Sequence, residues 1–117
     1  MTREPAPQTG MPIDLAHLKR MTLGDVVVER DVLRMFAAQA ARLDEALASL
    51  PADAAALAHT LKGSARAIGA FGVADAAAAL ETAIGEGNPA QALSLLHEAV
   101  ARACASVKAI LGAEQAP

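Results

Sequence analysis

The stretch from Ala58 to Ala65 reads AHTLKGSA, and it sets a histidine, His59, three residues before a lysine, Lys62, and four before a glycine, Gly63. An exposed imidazole titrates near neutrality and is largely neutral and nucleophilic at pH 7. Glycine in a helix interior costs about 1 kcal/mol relative to alanine, and alanine is plentiful on either side of this one. Residues four apart stand over one another on a helix surface. A glycine at that spacing therefore uncovers one flank of the histidine ring. The cost makes sense where another protein must come close to the imidazole.

Sorting the segment by helical rotation puts Leu57, Leu61 and Ile68 on one side, which marks it as the core side. His59 falls roughly opposite, on a stripe shared with Lys62, Gly63 and Arg66. The expected picture is a nucleophile aimed at solvent, between basic side chains and beside a gap in the helix surface.

The rest of the chain has to hold that helix in place. Its 117 residues suffice for one domain. More than half are hydrophobic, yet Trp and Tyr are absent and only Phe36 and Phe71 are aromatic, so the apolar mass is Ala, Leu, Val and Ile. Alanine has the highest helix propensity, which predicts an all-α domain with closely approaching helices. Ten basic against 13 acidic side chains give a net charge of −3. That balance argues against nucleic-acid binding, which needs a basic face. The single cysteine, Cys104, excludes an internal disulfide and a thiolate metal cluster. No apolar run approaches the roughly 20 residues that span a bilayer. The Pro- and Gly-bearing opening MTREPAPQTGMP has no hydrophobic stretch and is not read as a secretory signal. A soluble cytoplasmic protein, not at a membrane, is the expectation.

Periodicity divides the chain into a disordered lead-in over 1–12, a helical domain over 13–111 and a frayed tail over 112–117. A short amphipathic helix, IDLAHLKRM, comes first, and Asp25 is the expected N-cap of the next. The second helix is predicted over Val27–Ser49, with Leu33, Phe36, Ala40, Leu43, Leu47 and Leu50 as its apolar stripe. Pro51 ends it. The third spans 53–69, the fourth Val73–Ile84, and Gly69 and Gly72 bracket the connection between them. Asn88 and Pro89 open the last helix, which runs to Leu111 along a seam that includes Cys104. Four amphipathic helices joined by short loops predict an antiparallel up-down four-helix bundle, with the short extra N-terminal helix packed across one end.

AHTLKGSARAIGA resembles the phospho-acceptor motif of histidine-containing phosphotransfer (HPt) domains, of the form H-x-L-K-G-[SA]-[SA]-x-x-[LIF]-G-A. His59, Leu61, Lys62, Gly63, Ser64, Ala65, Ile68, Gly69 and Ala70 match it in order and spacing. PIDLAHLKRMTLGD, VLRMFAAQAARLDEAL and Leu80-Glu81 resemble the family's first, second and fourth helices more loosely. The resemblance implies a four-helix bundle acting as a phosphorelay intermediate, a phosphocarrier and not a complete enzyme. His59 would accept a phosphoryl group, through its outer ring nitrogen, from the aspartate of a receiver domain and pass it to a response-regulator aspartate. Lys62 would sit beside the phosphoryl oxygens and Gly63 would let the receiver dock. Arg66, inferred from the helix wheel and not from the motif, would help to offset the dianion. The chain would need no cofactor of its own, Mg2+ coming with the receiver. Its partners would be the receiver domains of response regulators and of a hybrid histidine kinase, met as a monomer. The docking surface would surround His59 on the second and third helices, near Met35 or Ala70.

Plainer readings apply to most other polar residues. Ser64 leans toward the core side, and His17 and His97 read as boundary or surface residues. Asp44, Glu45 and Glu81 read as solvated faces, and Cys104 as a buried small hydrophobe. A zinc site from His17, His59 and His97 has no paired ligand spacing behind it. No nucleotide-binding fingerprint is present, so autophosphorylation is not expected. Two other functions come from different classes. One is a non-catalytic HPt-like scaffold that binds receivers or a histidine kinase without carrying phosphate. The other is the dimerisation and phospho-acceptor domain of a sensor kinase, where the histidine is typically followed directly by an acidic residue and a few positions on by proline; here Thr60 follows and the helix holds no proline.

Overall fold

A computed structural model describes residues 12–114, and all regular structure among them is helical. The elements are α1 (Leu15–Met21), α2 (Val26–Leu47), α3 (Ala54–Ile68), α4 (Phe71–Gly85) and α5 (Ala90–Glu114). Each long helix packs on its chain neighbours, and α5 closes the ring against α2. The result is the up-down four-helix bundle that the apolar periodicity predicts, with α1 docked on α3. Most of the predicted lead-in, and the last three residues of the tail, lie outside the described residues.

The core is built from one stripe of each helix. Leu33, Phe36, Ala40 and Leu47 come from α2; Ala58, Leu61, Ala65 and Ile68 from α3; Val73, Ala77 and Leu80 from α4; Leu96, Val100, Ala103 and Val107 from α5. Alanines alternate with leucines on these stripes, so neighbouring helices approach closely without large voids. Leu43, Leu93, Cys104 and Leu111 are only partly buried at the edge of this core. Leu50 departs from its predicted stripe. The helix ends at Leu47, and Leu50 sits beyond it, exposed, with φ at +49°.

Caps set the helix boundaries. The Asp25 carboxylate accepts from the Val28 amide at 3.1 Å, which is the predicted N-cap. Asp53 occupies the equivalent position before α3 but makes no side-chain cap. α4 begins at Phe71, two residues before its predicted start, because Gly69 and Ala70 alone complete the connection and Gly72 is already helical. α5 starts at Ala90, with the Pro89 carbonyl accepting from the Leu93 amide, and continues through Gly112 to Glu114, past the predicted end at Leu111.

The corner between α3 and α4 also anchors α1. Gly69 takes φ +90° and closes α3 in a Schellman turn, the Ala70 amide donating to the Ala65 carbonyl at 2.8 Å. The Gly69 carbonyl then accepts from the Asp14 amide at 2.9 Å. His17 Nε2 lies 3.0 Å from the Ala67 carbonyl, and its ring stands edge-on to Phe71. Nearby, Glu29 is almost wholly buried and has the Lys19 ammonium 3.4 Å away, tying α1 to α2. A β-carbon on Gly69 would lie 2.9 Å from the Asp14 carbonyl oxygen. Gly69→Ala therefore combines left-handed strain with a backbone clash, and should cost about 2 kcal/mol or more. A thermal melt checks this: an unchanged midpoint would mean that α1 can shift at no cost.

Candidate functional site

His59 lies in the second turn of α3, on the face away from Ala58, Leu61 and Ala65. Its side chain is 69% exposed. Leu61 and Ile68 are buried as the helix wheel requires, so the histidine is aimed outward for a reason internal to the helix. Lys62 follows one turn on, but it is not a free surface cation. Its side chain is only 19% exposed, and Nζ lies 2.7 Å from Oε1 of Glu81 on α4. The other oxygen of the same carboxylate, Oε2, lies 3.1 Å from His59 Nδ1. Glu81 thus bridges the histidine and the lysine.

This corrects the reading of Glu81 as part of a solvated face. Leu80 is buried in the core, and Glu81 is the next residue round the helix, which places it at the edge of the α3–α4 contact, a quarter exposed. The pairing of residues 22 apart in sequence depends on how α3 and α4 are stacked. The hints in the sequence are an acidic residue immediately after a core position on a neighbouring amphipathic helix and the loose resemblance of Leu80-Glu81 to the family's fourth helix.

The bridge distinguishes the two ring nitrogens. An ionised carboxylate can only accept hydrogen bonds, so Nδ1 must carry the proton that points at Glu81. A neutral His59 then presents its lone pair at Nε2, the outer nitrogen. Glu81 is suited to the role. The Lys62 ammonium 2.7 Å away, reinforced by the hydrogen bond to His59, holds its carboxyl below the usual glutamate range, although partial burial pushes the other way. A carboxylate whose folded value is depressed stabilises the fold above its unfolded value, about pH 4.3, and loses that contribution as pH falls through the folded one. Wild type should therefore be more stable than Glu81→Ala at pH 7, and the difference should shrink below about pH 4. Paired thermal melts at pH 7 and pH 3 test it; a difference that does not depend on pH would exclude the ionised bridge.

Gly63 is exposed, and a β-carbon built on it meets nothing within 4 Å. The bundle itself has no need of glycine there. Arg66 is in the last turn of α3, exposed, about 10 Å of helix rise beyond His59, and touches none of the three site residues. The structure brings together His59, Lys62 and Glu81, with Gly63 leaving the flank of the ring open and Arg66 apart. A family model for the Hpt domain matches residues 30–113. The chain belongs to the Hpt family. Comparison with curated proteins and with solved structures found no match. Hpt domains are phosphocarriers that perform histidine phosphotransfer in two-component signalling, and they interact with receiver domains. The matched span covers nearly all of the four long helices; α1 precedes it.

Elsewhere in this Hpt domain helix packing accounts for the environments of Asp44 and Cys104. Asp44, also read as a solvated face, is mostly buried and lies 2.7 Å from Nδ1 of His97, across the α2–α5 interface. His97 itself is 72% exposed, as a surface residue should be. The Cys104 thiol approaches the Ala37 carbonyl at 3.8 Å, and burial pushes its ionisation up, so it is not a reactive thiolate. No group of three His, Cys, Asp or Glu among the described residues is arranged to hold a metal ion. No helix among them is long and apolar enough to cross a membrane.

Proposed function

We propose that His59 is the phospho-acceptor of a phosphorelay, charged by the aspartyl phosphate of a receiver domain and discharged onto a response-regulator aspartate. The observation that carries this reading is the exposed Nε2 of a ring whose Nδ1 is tied down by Glu81. In-line transfer then needs little more than positioning and charge neutralisation. Lys62, one turn along α3 and paired with Glu81, adds positive charge beside phosphoryl oxygens on the outer nitrogen. Arg66 adds positive potential at longer range. The receiver supplies Mg2+ and the acidic pocket, and the chain works as a cytoplasmic monomer without a cofactor of its own.

The α2–α3 face, one side of the helix that carries His59, offers such a partner an apolar surface. A groove of about 530 Å³ between α2 and α3 is lined by Val32, Met35, Gln39, Arg42, Ser64 and Ala67, and Met35 is 71% exposed. Ser64 is half-buried and lines this groove together with the core residues Phe36 and Ile68. Ala70, named with Met35 as part of the docking surface, is fully buried and cannot take part.

The test is phosphoryl exchange with labelled, phosphorylated receiver domains. Acid-labile label arriving on the chain supports the carrier reading and names a donor. Receivers that bind and keep their label would favour the scaffold reading instead.

A further inference from the structure

We propose that Glu81 is a positioning residue for the discharge of phospho-His59: its charge keeps the phosphorylated ring protonated at Nδ1, and so keeps the P–N bond ready to break. The proposal rests on His59 being the acceptor. When the Nε2 lone pair attacks phosphorus, the P–O bond to the donor aspartate breaks and its electron pair leaves on that carboxylate. The proton on Nδ1 stays where it is, 3.1 Å from Glu81 Oε2. The immediate product is a phosphoimidazolium, a cation hydrogen-bonded to an anion. From that form the phosphoryl group departs and leaves a neutral imidazole behind. If the Nδ1 proton were lost first, the leaving group would be an imidazolate anion, which is far poorer. A carboxylate at this position therefore extends the labile, protonated form to higher pH than a neutral acceptor would.

Lys62 has a part that its place in the motif does not show. With Nζ 2.7 Å from Oε1, it holds Glu81 ionised and in line with the ring. The other charged groups near His59 are farther off. Arg66 is two turns along α3, and Arg42 of α2 lines the groove on the neighbouring face with Ser64 and Ala67. Glu81 is the carboxylate that meets the ring.

The experiment uses phosphoramidate, a small donor that charges accessible imidazoles without a receiver, followed by 31P NMR of the intact chain from pH 5 to 9. The His59 signal is the one missing from His59→Gln. Glu81→Gln keeps the shape and the hydrogen-bond acceptor but removes the charge; Glu81→Ala removes both. The lifetime of phospho-His59 at pH 7.5 should lengthen about 5- to 10-fold in Glu81→Gln, and the pH at which it becomes long-lived should fall by about one unit. A residue that only orients the ring would leave the Glu81→Gln profile on top of wild type, and that result overturns the proposal. Failure of His59 to load at all would overturn the free-Nε2 geometry beneath it. Failure of receivers to exchange phosphate with the chain bears on the carrier reading alone, since phosphoramidate loading needs no receiver.

Discussion

His59→Gln takes up no acid-labile phosphate from any receiver domain that charges the wild-type chain. The expected loss is complete, because glutamine has no basic nitrogen to attack phosphorus, and no substitute nucleophile stands near the site. The neighbours cannot take over. Lys62 is occupied by Glu81 at 2.7 Å, and its ammonium form has no lone pair to offer. His97 is a second exposed imidazole held at Nδ1 by a carboxylate, but it is on α5, across the α2–α5 interface, where Asp44 and Glu98 line the same pocket. A dianionic phosphoryl group there would meet negative charge. Folding should be unaffected, since His59 contributes no buried surface to the core. Autoradiography after exchange, with circular dichroism to confirm the helices, measures both. Label persisting on His59→Gln would mean that the acceptor lies elsewhere, and His97 would be the first place to look.

Gly63→Leu should be folded, at least as stable as wild type, and nearly silent in exchange with receivers. Replacing a mid-helix glycine gives back up to about 1 kcal/mol of helix propensity. The space next to the Gly63 α-carbon is empty within the domain, so the first atom of a new side chain meets no clash. The isobutyl group would instead project over the flank of the imidazole one turn back. A receiver active site must close around Nε2, and a displacement of about 1 Å at a reacting centre can cost on the order of 100-fold in rate. Transfer from the receiver is thus expected to fall by about that factor, while loading by phosphoramidate persists. Gly63→Ala should fall between the two. Transfer at the wild-type rate in Gly63→Leu, with the fold intact, would remove partner access as the reason for the glycine.

Local pattern carried most of what could be read from the chain by itself. Three- and four-residue recurrence of Leu, Val and Ala located the four long helices because a helix is a local structure with a local period. The same rotation turned His59 outward and Leu61 inward. Asp25 was legible as an N-cap because capping is a contact between residues three apart. Helix ends were less secure. The stripe counted Leu50 as core, but the chain leaves the helix at Leu47, and the end of a helix is set by what its last turn packs against as much as by its own period.

The sequence alone determined an all-helical bundle, an outward histidine with a lysine and an unneeded glycine beside it, and from that motif a family. Only the tertiary structure decided which carboxylates matter. Glu81 meets His59 across 22 residues of sequence and Asp44 meets His97 across 53, each over a helix interface. On a helix wheel such residues are indistinguishable from Glu45, which is exposed to solvent. A boundary position one step round from a core residue looks polar and solvated until a neighbouring helix is laid beside it. The relative rotation of two packed helices is fixed by the interdigitation of the whole core, which no single segment contains.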